Sequence, residues 1–327
     1  MRDGCVDVRE WEGDIRRLMP KQGRITCLSQ RVSEAPGHIP AMRFPSVRYH
    51  RDGRAAPRDF RLEFARGPLH DAAQRDAGRP ARRGWTMATV NCDMGEGFGL
   101  YQMGDDAGLM PLITVANVAC GFHASDFNHM RKTVRLAREH GVRVGAHPSL
   151  PDLQGFGRRE MKIGREELAN CLIYQIGALS GFLKAEGMTL NHIKPHGVLY
   201  GMAARDPEIA HGVCDAADVF GVPLMGLSGT LHETVYAERG HAFIPEFFAD
   251  LDYDDDGRLI ITREHDAKDP ADCAARALRA VAEGRIISTG GRELPVRATT
   301  VCIHSDTPNA VDIATAVRDA LRPHLDG

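Results

Sequence analysis

From residue 88 onward, short β-type runs alternate with longer amphipathic runs, and this alternation narrows the possible folds more than any other property of the chain. Strands are expected near 88–93, 112–120, 142–147, 191–196, 222–227, 242–249 and 299–304. Helices are expected near 127–140, 165–186, 206–220, 230–239, 269–283 and 309–322. Asp206-Pro207 and Asp269-Pro270 each put a capping carboxylate ahead of a proline at the first helical position. Gly141, Gly187, Gly221, Gly240 and Gly284 follow the last periodic residues as stops. Repeated strand–helix units imply a parallel sheet with helices outside. Seven strands suggest closure into an α/β barrel, with its chemistry at the C-terminal strand ends.

The polar residues fall at those ends. The first strand leads to Asn91, Asp93 and Glu96, and the second to Asn117, His123 and Asp126. The third ends at His147, and the fourth carries His192, Lys194 and His196. The sixth gives Glu246 and Asp250, and the seventh His304 and Asp306. One histidine at a strand end is more often structural than functional. Four strands each ending in His, three of them with a carboxylate or Lys as well, are different, because burying so many ionisable groups costs stability unless they pair, bind metal or act on a substrate. Such a rim can hold a divalent metal, supply a general base, or neutralise an anion through Lys194.

Composition excludes other classes. The 327 residues are 43% hydrophobic and 26% charged, a soluble globular balance, and the net charge of −3 gives no reason to expect a nucleic-acid partner. No apolar run is long enough to span a membrane. The eight cysteines form no C-x-x-C pair and mostly lie in apolar segments, so buried free thiols in a reducing cytoplasm are expected. Residues 1–86 stand apart, with 18 Lys+Arg against 11 Asp+Glu and many helix and strand breakers. Either Met87 is the true start or residues 1–86 are a poorly ordered basic extension, and 87–327 are expected to be the catalytic domain. Asp252 to Asp256 resemble the opening of a calcium loop, but the twelfth position is Arg263, so a turn at Asp256-Gly257 is expected instead. No phosphate-binding P-loop is present, and residues 95–99 lack dinucleotide-fingerprint spacing.

Six stretches together resemble the LamB/YcsF family: AsnCysAspMetGlyGluGlyPheGly (91–99), AlaAsnValAlaCysGlyPheHisAlaSerAsp (116–126), GlyAlaHisProSerLeuProAspLeuGlnGlyPheGlyArgArg (145–159), LysProHisGlyValLeuTyr (194–200), GluPhePheAlaAsp (246–250) and HisSerAspThrPro (304–308). The resemblance spans about 88–325, in order, and does not cover 1–86. It implies a seven-stranded (β/α) barrel of the glycoside hydrolase/deacetylase type. The family includes the A subunit of prokaryotic ATP-dependent 5-oxoprolinase, so it also implies conversion of 5-oxoproline, ATP (with Mg) and water into glutamate, ADP and phosphate, with B and C partner subunits. On that expectation Lys194 and Arg158 or Arg159 contact anions. Asp93, Glu96 and Asp126 are candidates for base or metal ligand, and His123, His147 and His196 for proton transfer or metal binding. Asp93, His123 and His147 form the expected metal set. Asn91, Asn117, Glu246, Asp250, His304 and Asp306 complete the substrate-binding candidates. The sequence departs from the family pattern at Ser125 and Ser305, where the family usually has Gly, and at Leu251, where it has Arg. A metal-dependent deacetylase or amidohydrolase, and a non-catalytic metabolite-binding protein, are the alternative functions for the same rim.

Overall fold

The computed structural model describes residues 88–262 and 265–325. The expectations for residues 1–86, Met87 and Arg263 therefore lie outside the described residues. In chain order the elements are β1 (Thr89–Met94), α1 (Asp106–Leu109), β2 (Val115–Ala119), α2 (Phe127–Glu139), β3 (Arg143–His147), α3 (Arg165–Ala185), β4 (Leu190–Ile193), α4 (Gly197–Ala203), α5 (Pro207–Phe220), β5 (Leu224–Leu227), α6 (Leu231–Glu238), β6 (Phe243–Phe248), β7 (Asp252–Tyr253), β8 (Leu259–Ile260), α7 (Pro270–Glu283), β9 (Arg285–Ile287), β10 (Glu293–Pro295), β11 (Thr300–His304) and α8 (Ala310–Leu321).

Seven parallel strands close a barrel in the order β1-β11-β6-β5-β4-β3-β2. The alternation along each strand sorts side chains between two environments. Val90, Cys92, Ala116, Val118, Val144, Ala146, Val301 and Ile303 are buried in the apolar core. The intervening positions meet one another inside the barrel: Asn117 Nδ2 donates to Asn91 Oδ1 (2.7 Å), and Asn91 Nδ2 donates to Thr300 Oγ1 (2.8 Å). Gly145 makes this interior possible, because a Cβ there would collide with the His192 ring. Outside, α3 presents Leu168, Leu172, Ile176, Leu179 and Leu183 at helical spacing, all buried. Each is worth roughly 1.5–3 kcal/mol of burial.

The local signals behave as expected. Asp206 accepts from the N–H groups of Glu208 and Ile209, and Asp269 from that of Ala271. All five glycine stops have positive φ. The second strand begins later than expected, because Met110–Leu112 form a 3-10 turn. Asp256-Gly257 lies in the turn joining β7 to β8, with Gly257 at φ +79°. The six described cysteines are free, and no described helix is long and apolar enough to cross a membrane. The paired strands β7–β8 and β9–β10, and helix α4, were not expected.

His232, on α6, is fully buried, and its Nδ1 accepts the Leu227 N–H (3.0 Å). Burial lowers its pKa to about 3. The unfolded ring takes up its proton near pH 6.5 while the folded ring resists until about pH 3, so stability falls as pH drops through that window. This group alone contributes a slope of about 1.4 kcal/mol per pH unit between roughly pH 6 and 4. Denaturant midpoints measured from pH 7 to 4 check this: His232→Gln is expected to show a shallower decline than the parent, and an unchanged slope would refute it.

Candidate functional site

The strand ends and the loops just after them bring nine of the expected residues into a buried assembly in two connected halves. In the first, Lys194 lies between two carboxylates. Its Nζ is 2.9 Å from Asp93 Oδ1, 2.9 Å from Glu246 Oε1 and 3.0 Å from Cys302 Sγ. Asn117 also donates to Asp93 Oδ1 (2.8 Å). Burial opposes the Lys194 charge, but Asp93, Cys302 and Glu246 outweigh it and hold the ammonium protonated. Burial would raise the Asp93 carboxyl, yet the adjacent Lys194 ammonium helps to hold it well below the usual carboxylate range. For Glu246, burial wins over Lys194 and the carboxyl is raised. Beyond Asp93, His304 receives two contacts from Asp250: the His304 N–H donates to Asp250 Oδ2 (2.8 Å), and its Nδ1 lies 3.0 Å from Oδ1. Burial disfavours the imidazolium, but Asp250 reverses this and pushes its pKa up to about 9.

The second half is histidine-rich. His123 Nε2 lies 3.2 Å from Glu96 Oε1, and its ring stacks on His196 with centroids 3.7 Å apart. Burial, then the neighbouring His196, lowers His123 to about 4. His147 Nδ1 meets the Lys194 carbonyl at 2.8 Å, and His196 Nε2 meets the Phe156 carbonyl at 2.8 Å. A carbonyl only accepts, so those nitrogens carry the protons. The unprotonated nitrogens, His147 Nε2 and His196 Nδ1, therefore face each other at 3.0 Å, with Asp93 Oδ2 3.1 Å from His147 Nε2. Facing lone pairs repel unless a cation, either a proton or a divalent metal, lies among them. Asp93, His147 and His196 accordingly form one candidate metal-ligand group, and Glu96, His123 and His196 another. The expected set of Asp93, His123 and His147 is corrected on one member. His123 belongs with Glu96, and His196 takes its place beside Asp93.

Other expectations are corrected by position. Asp126 caps α2, accepting from Asn128 and His129 and from the Gly99 N–H, so its oxygens are committed to backbone. Arg159 turns outward to Asp152. Asn91, Asn117 and His192 lie beneath the rim, where His192 Nε2 meets Asn117 Oδ1 at 2.6 Å. Arg158 does reach the site, paired to Asp306 Oδ2 (2.8 Å) and placed over the Phe156 ring.

A small cavity lies above the assembly. Its polar floor includes Asp93, His147, Lys194, His196 and His304, and its apolar walls include Tyr200, Phe248, Leu251, Leu259 and Ile261. Arg158 and His265 also line it. Sequence reading missed Tyr200, Leu259, Ile261 and His265, because none of them follows a periodic strand. Leu251 is 6% exposed and forms part of the wall.

Ser305 Oγ donates to Glu96 Oε2 (3.4 Å), which gives its hydroxyl a partner at the site. Ser125 is buried at φ +76°, a conformation that favours glycine. Ser125→Gly is expected to raise stability by about 1 kcal/mol, the relief of strain exceeding the added unfolded-state entropy. Denaturant unfolding checks this, and a lower midpoint would show that the left-handed serine is not strained.

The fold and rim define a seven-stranded (β/α) barrel with an ionisable, metal-competent cavity at its C-terminal mouth. The sequence profile of the LamB/YcsF family matches residues 88–325, and this chain belongs to that family. It is 47% identical over 236 residues to a Thermus thermophilus protein named as the A subunit of 5-oxoprolinase, covering 71% of this chain and 94% of that one. It is 44% identical over 236 residues to a protein of the same name from Staphylococcus haemolyticus, with the same coverage. It is 46% identical over 230 residues to a lactam utilization protein of Emericella nidulans, covering 69% and 90%. The crystal structure of a lactam utilization protein from Thermus thermophilus matches with a TM-score of 0.68 at 45% identity, covering 72% of this chain and 96% of that one.

Proposed function

We propose that this chain is the A subunit of an ATP-dependent 5-oxoprolinase, converting 5-oxo-L-proline, ATP and water to L-glutamate, ADP and phosphate together with B and C companion subunits. Family membership and the relatives' names make it a hydrolase acting on a cyclic amide. The observation that carries the finer reading is the small cavity that sets a charged floor against apolar walls. A five-membered lactam has the same two sides: ring methylenes for Leu251, Leu259 and Ile261, and an amide for the floor.

A lactam is a resonance-stabilised amide. Opening it requires a polarised carbonyl, an activated water and a proton for the departing nitrogen. His147 Nε2, whose proton sits on the opposite nitrogen, is placed to take a proton from water. His304, kept cationic by Asp250, offers a proton and a positive charge to the developing anion. Lys194 holds Asp93 ionised and fixed. Asp93, His147 and His196 fit a divalent metal, which when bound would polarise the carbonyl or acidify water.

The test is a coupled assay for glutamate and ADP from 5-oxoproline, with this chain alone and with B- and C-type subunits. Release of both products that depends on this chain supports the proposal. No turnover, with companion subunits shown to work with another A subunit, would overturn it.

A further inference from the structure

We infer that His265, held by Asp306, accepts a hydrogen bond from the lactam N–H and so selects cyclic amides bearing a carboxylate next to nitrogen. This rests on the lactam reading above. His265 lines the cavity, its side chain is 4% exposed, and its Nε2 is buried without a hydrogen-bond partner. Buried polar atoms of this kind are rare unless a ligand or water completes them.

The chemistry of that orphan nitrogen follows from the opposite side of the ring. Nδ1 lies 3.1 Å from Asp306 Oδ1, in a contact too bent for a linear hydrogen bond but close enough for strong electrostatic attraction. An ionised carboxylate has no proton to give, and burial is outweighed by its neighbours in keeping Asp306 below the usual range. The ring proton therefore sits on Nδ1, and Nε2 presents a lone pair. An edge contact with His304, centroids 5.0 Å apart, fixes the ring plane.

Asp306 also holds Arg158 through Oδ2, so one carboxylate positions an acceptor and a cation side by side in one cavity. In 5-oxoproline the N–H and the carboxylate are also neighbours, on adjacent ring atoms. The pairing of N–H with His265 and carboxylate with Arg158 turns the ring methylenes, which lie opposite the nitrogen, away from Asp306. A site that hydrogen-bonds a substrate N–H rejects an analogue lacking it, because its own polar group then stays unpaired.

The test is calorimetric binding to the full chain of 5-oxoproline and of 5-oxotetrahydrofuran-2-carboxylate, the lactone in which oxygen replaces N–H. The parent protein is expected to favour the lactam by about 10–100-fold. His265→Phe is expected to erase that preference, and His265→Gln, whose amide oxygen still accepts, to keep part of it. A purely structural histidine would weaken both ligands equally, and that result, or a preference unchanged in His265→Phe, overturns the inference. So does failure of the folded parent to bind either ligand. A preference that follows His265 while the companion-subunit assay yields no glutamate leaves the inference standing and removes the 5-oxoprolinase reading.

Discussion

Lys194→Met is expected to destabilise the protein by about 3–5 kcal/mol and to reduce turnover more than a hundredfold. Methionine approximates the length of the lysine stem but leaves Asp93 and Glu246 facing a cavity without the cation that lies 2.9 Å from each. Breaking a buried ion pair costs more than the pair is worth, because the remaining charge stays desolvated. The double variant Lys194→Met/Glu246→Gln separates the two effects. Removing one of the stranded carboxylates is expected to return at least about 1 kcal/mol of stability and none of the activity. Denaturant unfolding of the four proteins in this cycle measures the coupling. Additive losses would show that Lys194 and Glu246 are energetically independent despite their contact.

Asp93→Asn carries the second large effect, on catalysis more than on folding. The amide keeps the shape and can still meet Lys194, but it removes the ionised oxygen beside His147. A fall of about 10³-fold in kcat/KM is expected. Divalent-metal retention after dialysis is expected to fall as well, since one of three converging donors loses its charge. Glu246 remains beside Lys194, so the stability loss is smaller than for Lys194→Met. Near-parental kcat/KM in Asp93→Asn would remove this carboxylate from the reaction.

The barrel and its rim were legible in the sequence because short β-type runs alternate with amphipathic runs and several helices carry a capping Asp or a glycine stop. Asp93, His147, Lys194 and His304 could be placed at strand ends for that reason. Roles within the rim were less legible. Asp126 follows the second strand as naturally as Glu96 follows the first, but a free aspartate and a helix cap have the same sequence signature. Arg158 and Arg159 are adjacent, and only the backbone path decides that one turns inward and the other toward Asp152. The elements over the cavity were harder still. Two-residue strands such as β7 and β8 are too short to establish a period. His265 lies in an aperiodic segment flanked by charged residues, with nothing to mark it as buried.

The division between floor and roof has an evolutionary consequence. The groups suited to proton transfer and metal binding are mounted on the closed strand lattice or just beyond its ends, where a shift in one strand disturbs its neighbours. Leu251, Leu259, Ile261 and His265 instead come from one continuous stretch between β6 and α7. That stretch is clasped by the β9–β10 pair, with Ser288 Oγ donating to Asp255 Oδ1 (2.5 Å) and the Thr289 N–H to the Tyr253 carbonyl (2.9 Å). Much of the cavity wall is thus inherited on a part of the chain separate from the reactive rim. Exchange of that one stretch can redirect this scaffold to a differently substituted ring while the reactive lattice is passed on unaltered.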